Sequence, residues 1–158
     1  MTKLFRLLLR AGWAPLAVLV FHQAIMDTPY RQQLDFLMHY SGGVAIAFFA
    51  WHALDCFASW FGTLTAFAHY LFTFTLACTV GLFWEFAELF SDVVYGSHIQ
   101  HSIRETMRDL IADATGALTT LALLFLVRFL ASINRPQAKF ETRLPHAAAS
   151  RPDCAGDR

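Results

Sequence analysis

Charged residues are few in this sequence. Only 15% of its 158 residues are Asp, Glu, Lys or Arg, whereas soluble domains carry about a quarter. Apolar residues make up 56% of the chain, and its mean hydropathy is +0.44. Basic and acidic residues balance at 12 each, so we expect no nucleic-acid partner, which would favour a basic excess. The composition argues against an ordinary soluble domain and indicates a membrane protein.

Cysteine pairs and the common catalytic motifs are also missing. The three cysteines, Cys56, Cys78 and Cys154, are far apart in the sequence, which predicts neither a disulfide framework nor a Cys-type metal site. The chain contains no Gly-rich phosphate loop, nucleophile elbow or H-E-x2-H zinc motif. A dedicated nucleophile is therefore not recognisable from the sequence.

Four long apolar stretches are what the sequence does contain. Each is near or above the roughly 20 residues that an α-helix needs to cross a bilayer. We therefore predict an all-α, polytopic membrane protein with four transmembrane helices in residues 1–134, followed by a mobile cytoplasmic tail at 135–158. A cleaved signal peptide is the alternative for the first stretch, although no small-x-small cleavage site follows it. The stretches are Leu4 to Met26, Phe36 to Phe57, Thr63 to Phe90 and Leu110 to Ile133.

The basic residues predict the orientation. Nine of the 12 lie within the first ten residues or near and beyond the end of the fourth stretch. Since cytoplasmic segments carry the excess of Lys and Arg, both termini should be cytoplasmic. In a bacterium the protein would lie in the inner membrane, with residues 27–35 and 91–109 facing the periplasm.

Ionisable residues cluster at those ends of the apolar stretches that the predicted topology places on the outer side of the membrane. They form three pairs, spaced so that both members lie on one helix face. Small residues follow on the same faces, at Gly42, Gly43 and Gly116, and would let the helices approach closely. We expect one shared pocket. Asp35, Glu88 and Asp109, taken singly, could simply be interfacial and solvated, whereas Glu85 and Asp113 lie about one turn deeper, where an ionised carboxylate needs a partner or water. The pairs are Asp35 with His39, Glu85 with Glu88, and Asp109 with Asp113.

These motifs resemble those of a known family. D-x3-H at Asp35, E-x2-E at Glu85 and a run from Glu105 to Ala117 resemble the D-x3-H, E-x2-E and D-T-x2-D-x6-G-A signals of the VanZ-like integral membrane proteins and of a related uncharacterised bacterial inner-membrane family. The run departs from that pattern at Glu105, where the family more often has Asp, and at Asp113, where it often has Asn. The likeness covers about residues 35 to 120. It implies a small helical membrane protein, in one branch linked to glycopeptide-antibiotic tolerance, and it implies no particular reaction.

Two functional classes remain open. In the first, the cluster binds a cation or a lipid-linked polar head group without bond breaking, in an envelope-tolerance role. In the second, a bound Mg2+, Mn2+ or Zn2+ ion assists hydrolysis or transfer on a lipid-borne phosphate. Membrane lipids are the expected partners of either, and a second copy of the chain is a candidate partner. The candidate metal ligands are Asp35, His39, Glu85 and Asp109, the candidate general bases are Glu88 and Asp113, and the candidate anion-binding residues are Arg104 and Arg108.

Three other histidines have predicted positions. His22 lies near the outer end of the first stretch and could also point at the cluster. His52 and His69 fall in the opposite half of the bundle, where a contact between them would be structural.

Overall fold

The computed structural model describes residues 2–26, 28–100 and 102–134, and every regular element in them is helical. The first long helix, Lys3–Ile25, contains a π-helical turn. A short helix joins the second long helix to the third. The elements are α1 (Lys3–Leu7), the π turn (Leu8–Gly12), α2 (Trp13–Ile25), α3 (Arg31–Cys56), α4 (Ala58–Phe61), α5 (Ala66–Tyr95) and α6 (Ile103–Ile133).

The third and fourth long helices continue beyond their apolar stretches. Helix α5 ends at Tyr95 rather than near Phe90, and Gly96 closes it in the left-handed conformation, at φ 64°, where glycine carries no steric penalty. Helix α6 begins at Ile103 rather than near Leu110, because Ser102 caps its first turn by accepting a hydrogen bond from the Glu105 amide. The connection between α5 and α6 is therefore much shorter than the sequence alone indicated.

Helix α3 is the centre of the bundle and packs against α2, α5 and α6. It runs parallel to α6, since His39 contacts Asp113 near the start of both helices, while Arg128 lies over Trp51 near their ends. Helices α2 and α5 run the other way. The start of α3, the end of α5 and the start of α6 therefore meet at one end of the bundle, called here the acidic end. The opposite end is called the basic end.

Glycines allow the closest helix contact, between α3 and α6. A Cβ atom added at Gly43 would collide with the backbone carbonyl of Asp113, and one added at Gly116 would collide with the carbonyl of Tyr40. The small residues that the sequence places on these faces do lie at the interface. They set the separation between the two helices that carry most of the ionisable cluster.

The outer surface of the bundle is apolar. Side chains such as Val20, Phe83 and Val127 are each at least 60% exposed, a degree of apolar exposure that marks a lipid-facing or binding surface. Three helices are long and apolar enough to cross a membrane: Lys3–Ile25, Ala66–Tyr95 and Ile103–Ile133.

Helix α3 is not among those three spans. It carries His39, a Ser-Gly-Gly segment and His52 within its length, which lower its hydropathy. These polar and small residues face the neighbouring helices, so α3 has the composition of a central helix rather than a lipid-facing one. The predicted tail at 135–158 lies outside the described residues.

Candidate functional site

A polar cavity of about 250 Å³ opens at the acidic end of the bundle. The starts of α3 and α6, the end of α5 and the connection between α5 and α6 all contribute to its wall. Most of its wall is polar, and the lining residues are Thr28, Pro29, Arg31, Gln32, Asp35, Glu85, Glu88, Ile99, Gln100, Glu105, Thr106 and Asp109.

His39 is the buried centre of the cluster. Its Nδ1 lies 3.3 Å from Oδ2 of Asp113, and its Nε2 lies 3.7 Å from Glu85 Oε1 and 4.0 Å from Asp35 Oδ1. An ionised carboxylate can only accept a hydrogen bond, so an Asp113 carboxylate requires that Nδ1 carry the hydrogen. In a neutral imidazole, the Nε2 lone pair then faces Asp35 and Glu85. A carboxylate that orients a histidine in this way is the usual arrangement behind a metal-binding imidazole.

Arg108 joins two of the carboxylates. One of its terminal nitrogens lies 2.9 Å from Asp35 Oδ2, and its Nε lies 3.2 Å from Asp109 Oδ1. The same two carboxylates and His39 each offer a ligand atom within 4.8 Å of the others. One nitrogen and two oxygen atoms are thus grouped closely enough to share a metal ion, with the Arg108 guanidinium beside them.

Glu85 has a buried oxygen without a hydrogen-bond partner. The residue is only 3% exposed, and the Gln100 amide donates to its Oε2 and to its backbone carbonyl, both at 3.1 Å. Its other oxygen, Oε1, accepts no hydrogen bond from the residues that the structure describes. An unsatisfied buried carboxylate oxygen is costly, so this atom is a site at which a proton or a cation would be stabilised.

The role of Gln100 was not expected from the sequence. Asp92, near the end of α5, accepts hydrogen bonds from the backbone amides of Ile99 and Gln100 at 2.6 and 2.8 Å and from the Ser97 hydroxyl at 2.5 Å. These bonds fold the connecting segment back over the end of α5, so that Gln100 reaches Glu85. Asp92 follows the predicted stretch in the sequence, but no spacing rule indicated its partner.

The remaining candidate residues take different places. Glu88 lines the cavity and accepts a hydrogen bond from the Trp84 indole at 2.9 Å. Asp113 is 7% exposed and lies on the far side of the His39 ring from Glu85. Arg104 is exposed on the first turn of α6 and is not among the residues that line the cavity.

The other histidines divide between the two ends of the bundle. His22 packs edge-on against Trp84, with ring centroids 5.2 Å apart, and shares an apolar cavity with His39. It therefore approaches the cluster. His69 lies 3.2 Å from Asp55 at the basic end, and His52 packs against Phe48 rather than pairing with His69.

The charge balance of the site is strongly negative. In the cluster, five carboxylates are gathered around one guanidinium and one imidazole, and four of these seven side chains are buried. Arg31 and Glu105, which also line the cavity, add one charge of each sign. Like charges held this close in a poorly solvated place repel one another unless protons or cations neutralise some of them. The chemical capacity of the site is therefore to take up positive charge. The five carboxylates belong to Asp35, Glu85, Glu88, Asp109 and Asp113.

Comparison with known proteins places the chain in a family. The family model described as "Predicted membrane protein (DUF2238)" matches residues 9–129. The chain belongs to this family. The match covers the described helices from the π turn to near the end of α6, and so includes every residue of the cluster. No curated protein and no solved structure matches the chain.

Proposed function

We propose that this membrane protein binds a divalent cation at the acidic end of its bundle, as a binding protein rather than an enzyme. The observation that carries the proposal is the setting of His39. Its Nε2 faces Asp35 and Glu85, while Asp113 holds the opposite nitrogen. Oxygen donors with one imidazole suit Mg2+, Mn2+ or Zn2+.

The residues of the cluster divide into ligands and supporting residues in this proposal. Asp35, His39, Glu85 and Asp109 supply the ligand atoms, and the bound cation neutralises their excess charge. Asp113 orients the His39 ring. Arg108, which lies between Asp35 and Asp109, holds these two carboxylates near each other and limits their repulsion.

The proposed partner of the site is a membrane lipid. In the proposed topology α3 is a fourth span, both termini are cytoplasmic and the cavity opens on the periplasmic face of a bacterial inner membrane. A cation held by carboxylates at that surface can bridge to the phosphate of a lipid head group, and Arg31 in the cavity wall offers that phosphate a second contact. Binding of a lipid head group in this way would be the envelope-tolerance role of a VanZ-like protein. The proposal also includes assembly of the chain with a second copy of itself.

A metal-dependent hydrolase or transferase acting on a lipid-borne phosphate is the second candidate. Glu88 favours it, because its carboxylate lines the same cavity as the proposed ligands and could accept a proton from water. Asp113, the other candidate base, lies behind the His39 ring. Arg108, or Arg104 after a movement of its side chain, would serve as the anion clamp.

Calorimetric titration of the purified protein tests the binding function. In mild detergent, Mg2+, Mn2+ or Zn2+ should bind saturably with one ion per chain. Glu85→Gln removes one charge at nearly constant shape and should weaken binding at least tenfold, about 1.4 kcal/mol. Asp55→Asn, which removes a carboxylate at the basic end, is the matched control and should bind as the wild type does. Equal affinities in all three proteins would refute the proposal.

A further inference from the structure

A second cavity, of about 350 Å³, lies at the basic end of the bundle, far from the carboxylate cluster. It is formed where the start of the first long helix packs beside the end of α3. Its lining residues are Lys3, Arg6, Leu7, Arg10, His52, Asp55 and Cys56.

Helical spacing brings the lining residues together. Lys3, Arg6 and Arg10 are spaced at three and four residues and share one face of the first helix, and the three residues from α3 share one of its faces in the same way. Two contacts hold the start of the first helix against the end of α3 and the following helix α4. The Lys3 ammonium donates to Ser59 Oγ at 2.7 Å, and the Cys56 thiol donates to the Lys3 carbonyl at 3.2 Å.

The cavity is cationic. Its one carboxylate, Asp55, lies 3.2 Å from the His69 imidazole. No ion pair joins Arg6 or Arg10 to a carboxylate anywhere in the described chain. Both guanidinium groups are therefore available to a ligand.

His52 also lines this wall, but its Nδ1 is shielded from solvent. The donors offered to an oxyanion are therefore the guanidinium groups of the two arginines. Guanidinium groups match the oxygens of a phosphate in geometry and charge.

We propose that this cavity binds the phosphate group of an anionic membrane lipid. The lipid source follows from the surface beside the cavity. Leu4, Phe5, Leu8 and Leu9 lie on the same turns as the arginines and are each about half exposed or more. A phosphate held by Arg6 and Arg10 would thus have its acyl chains against an apolar helix face, at the depth where basic side chains meet lipid head groups.

The π-helical turn Leu8–Gly12 lies inside this segment and contains Arg10. Such turns are rare and occur frequently at functional sites. The basic cavity is independent of the carboxylate site, because the two share no residue and lie at opposite ends of α3. Loss of lipid binding would therefore leave cation binding at the acidic end unchanged.

Native mass spectrometry tests the proposal with the full-length protein in mild detergent. Phosphatidylglycerol and phosphatidylcholine are added separately, and the retained lipid is counted. The wild type should retain phosphatidylglycerol at least tenfold more than phosphatidylcholine. Arg6→Gln and Arg10→Gln, tested singly, should each lose most of that preference. Both side chains are exposed, so these variants should fold, and gel filtration checks that they do.

Arg128→Gln is the matched control. It removes a positive charge from the same end of the bundle, but Arg128 lies over the Trp51 ring rather than in the cavity. It should keep the preference for phosphatidylglycerol. If all three variants lose the preference equally, the attraction is general to this end of the protein and the cavity is not a site; if none loses it, the proposal is also wrong.

An excess of inorganic phosphate separates the two sources of the phosphate group. For a lipid site, phosphatidylglycerol should remain bound in its presence, because the apolar contacts add to the head-group contacts. Displacement of the lipid by inorganic phosphate would overturn the lipid assignment in favour of a soluble phosphate ligand.

Discussion

At the scale of single residues, the position of Asp113 depends on glycines in two helices. A Cβ atom added at Gly81 would lie 2.5 Å from Asp113 Oδ2, and one at Gly43 would collide with the Asp113 backbone. Any larger residue at either position would displace the carboxylate that orients His39. Glycine is thus required here for space rather than for backbone conformation.

Two neighbouring glycines provide a matched pair of variants. Gly43→Ala should destabilise the bundle by about 1–3 kcal/mol, the usual cost of overpacking, since the obstructing atoms belong to the backbone of α6. Gly42→Ala should be tolerated, because its Cβ would lie 3.5 Å from Asp113 Oδ1, an ordinary contact. Thermal unfolding in detergent measures both. A similar midpoint for the two variants would show that α3 and α6 are not packed this closely.

Gln100 should matter to cation binding although it offers no charge. Gln100→Ala deletes both hydrogen bonds to Glu85, and a hydrogen bond to a charged group contributes about 1.5–3 kcal/mol. We expect roughly tenfold weaker binding in the calorimetric titration. Gln23→Ala, at an exposed position on α2, should bind normally. Unchanged affinity in Gln100→Ala would mean that Glu85 needs no support from this amide.

At the scale of the elements, the segment between α5 and α6 is held by Asp92. Asp92→Ala removes the acceptor for three hydrogen bonds, so the backbone amides of residues 97–100 should exchange with deuterium much faster. Ser91→Ala removes only a contact to the Ser97 hydroxyl and should change exchange little. Equal protection in both variants would contradict the role of Asp92.

The sequence predicted the elements better than their ends. Four apolar stretches correspond to four long helices, since apolar length is a strong signal of a buried or lipid-facing helix. Ser91 and Asp92 interrupt the apolar run near the end of α5, and the first two turns of α6 are mostly polar, so hydropathy does not locate these two helix ends. The pairs on α3, α5 and α6 were expected to meet for two reasons. Helical spacing places both members of a pair on one helix face, and the predicted topology brings those ends to the same side of the membrane. The contact between Gln100 and Glu85 depends on the folded segment between α5 and α6, whose sequence has no helical periodicity.

At the scale of the whole molecule, the proposed topology makes α3 a membrane span although its hydropathy is low. Tyr30 and Thr63 lie beyond its two ends and are exposed. In a cysteine-free background, Tyr30→Cys should react with an impermeant thiol reagent added outside intact cells. Thr63→Cys should react only after permeabilisation. Reaction of both from the same side would show that α3 does not cross.

In the proposed site His39 binds the cation through Nε2, and pulsed electron paramagnetic resonance of bound Mn2+ tests this contact directly. We expect a nitrogen coupling from a bound imidazole in the wild type and in His69→Gln, and its loss in His39→Gln. A wild-type signal with no nitrogen coupling, or a coupling that persists in His39→Gln, would contradict it.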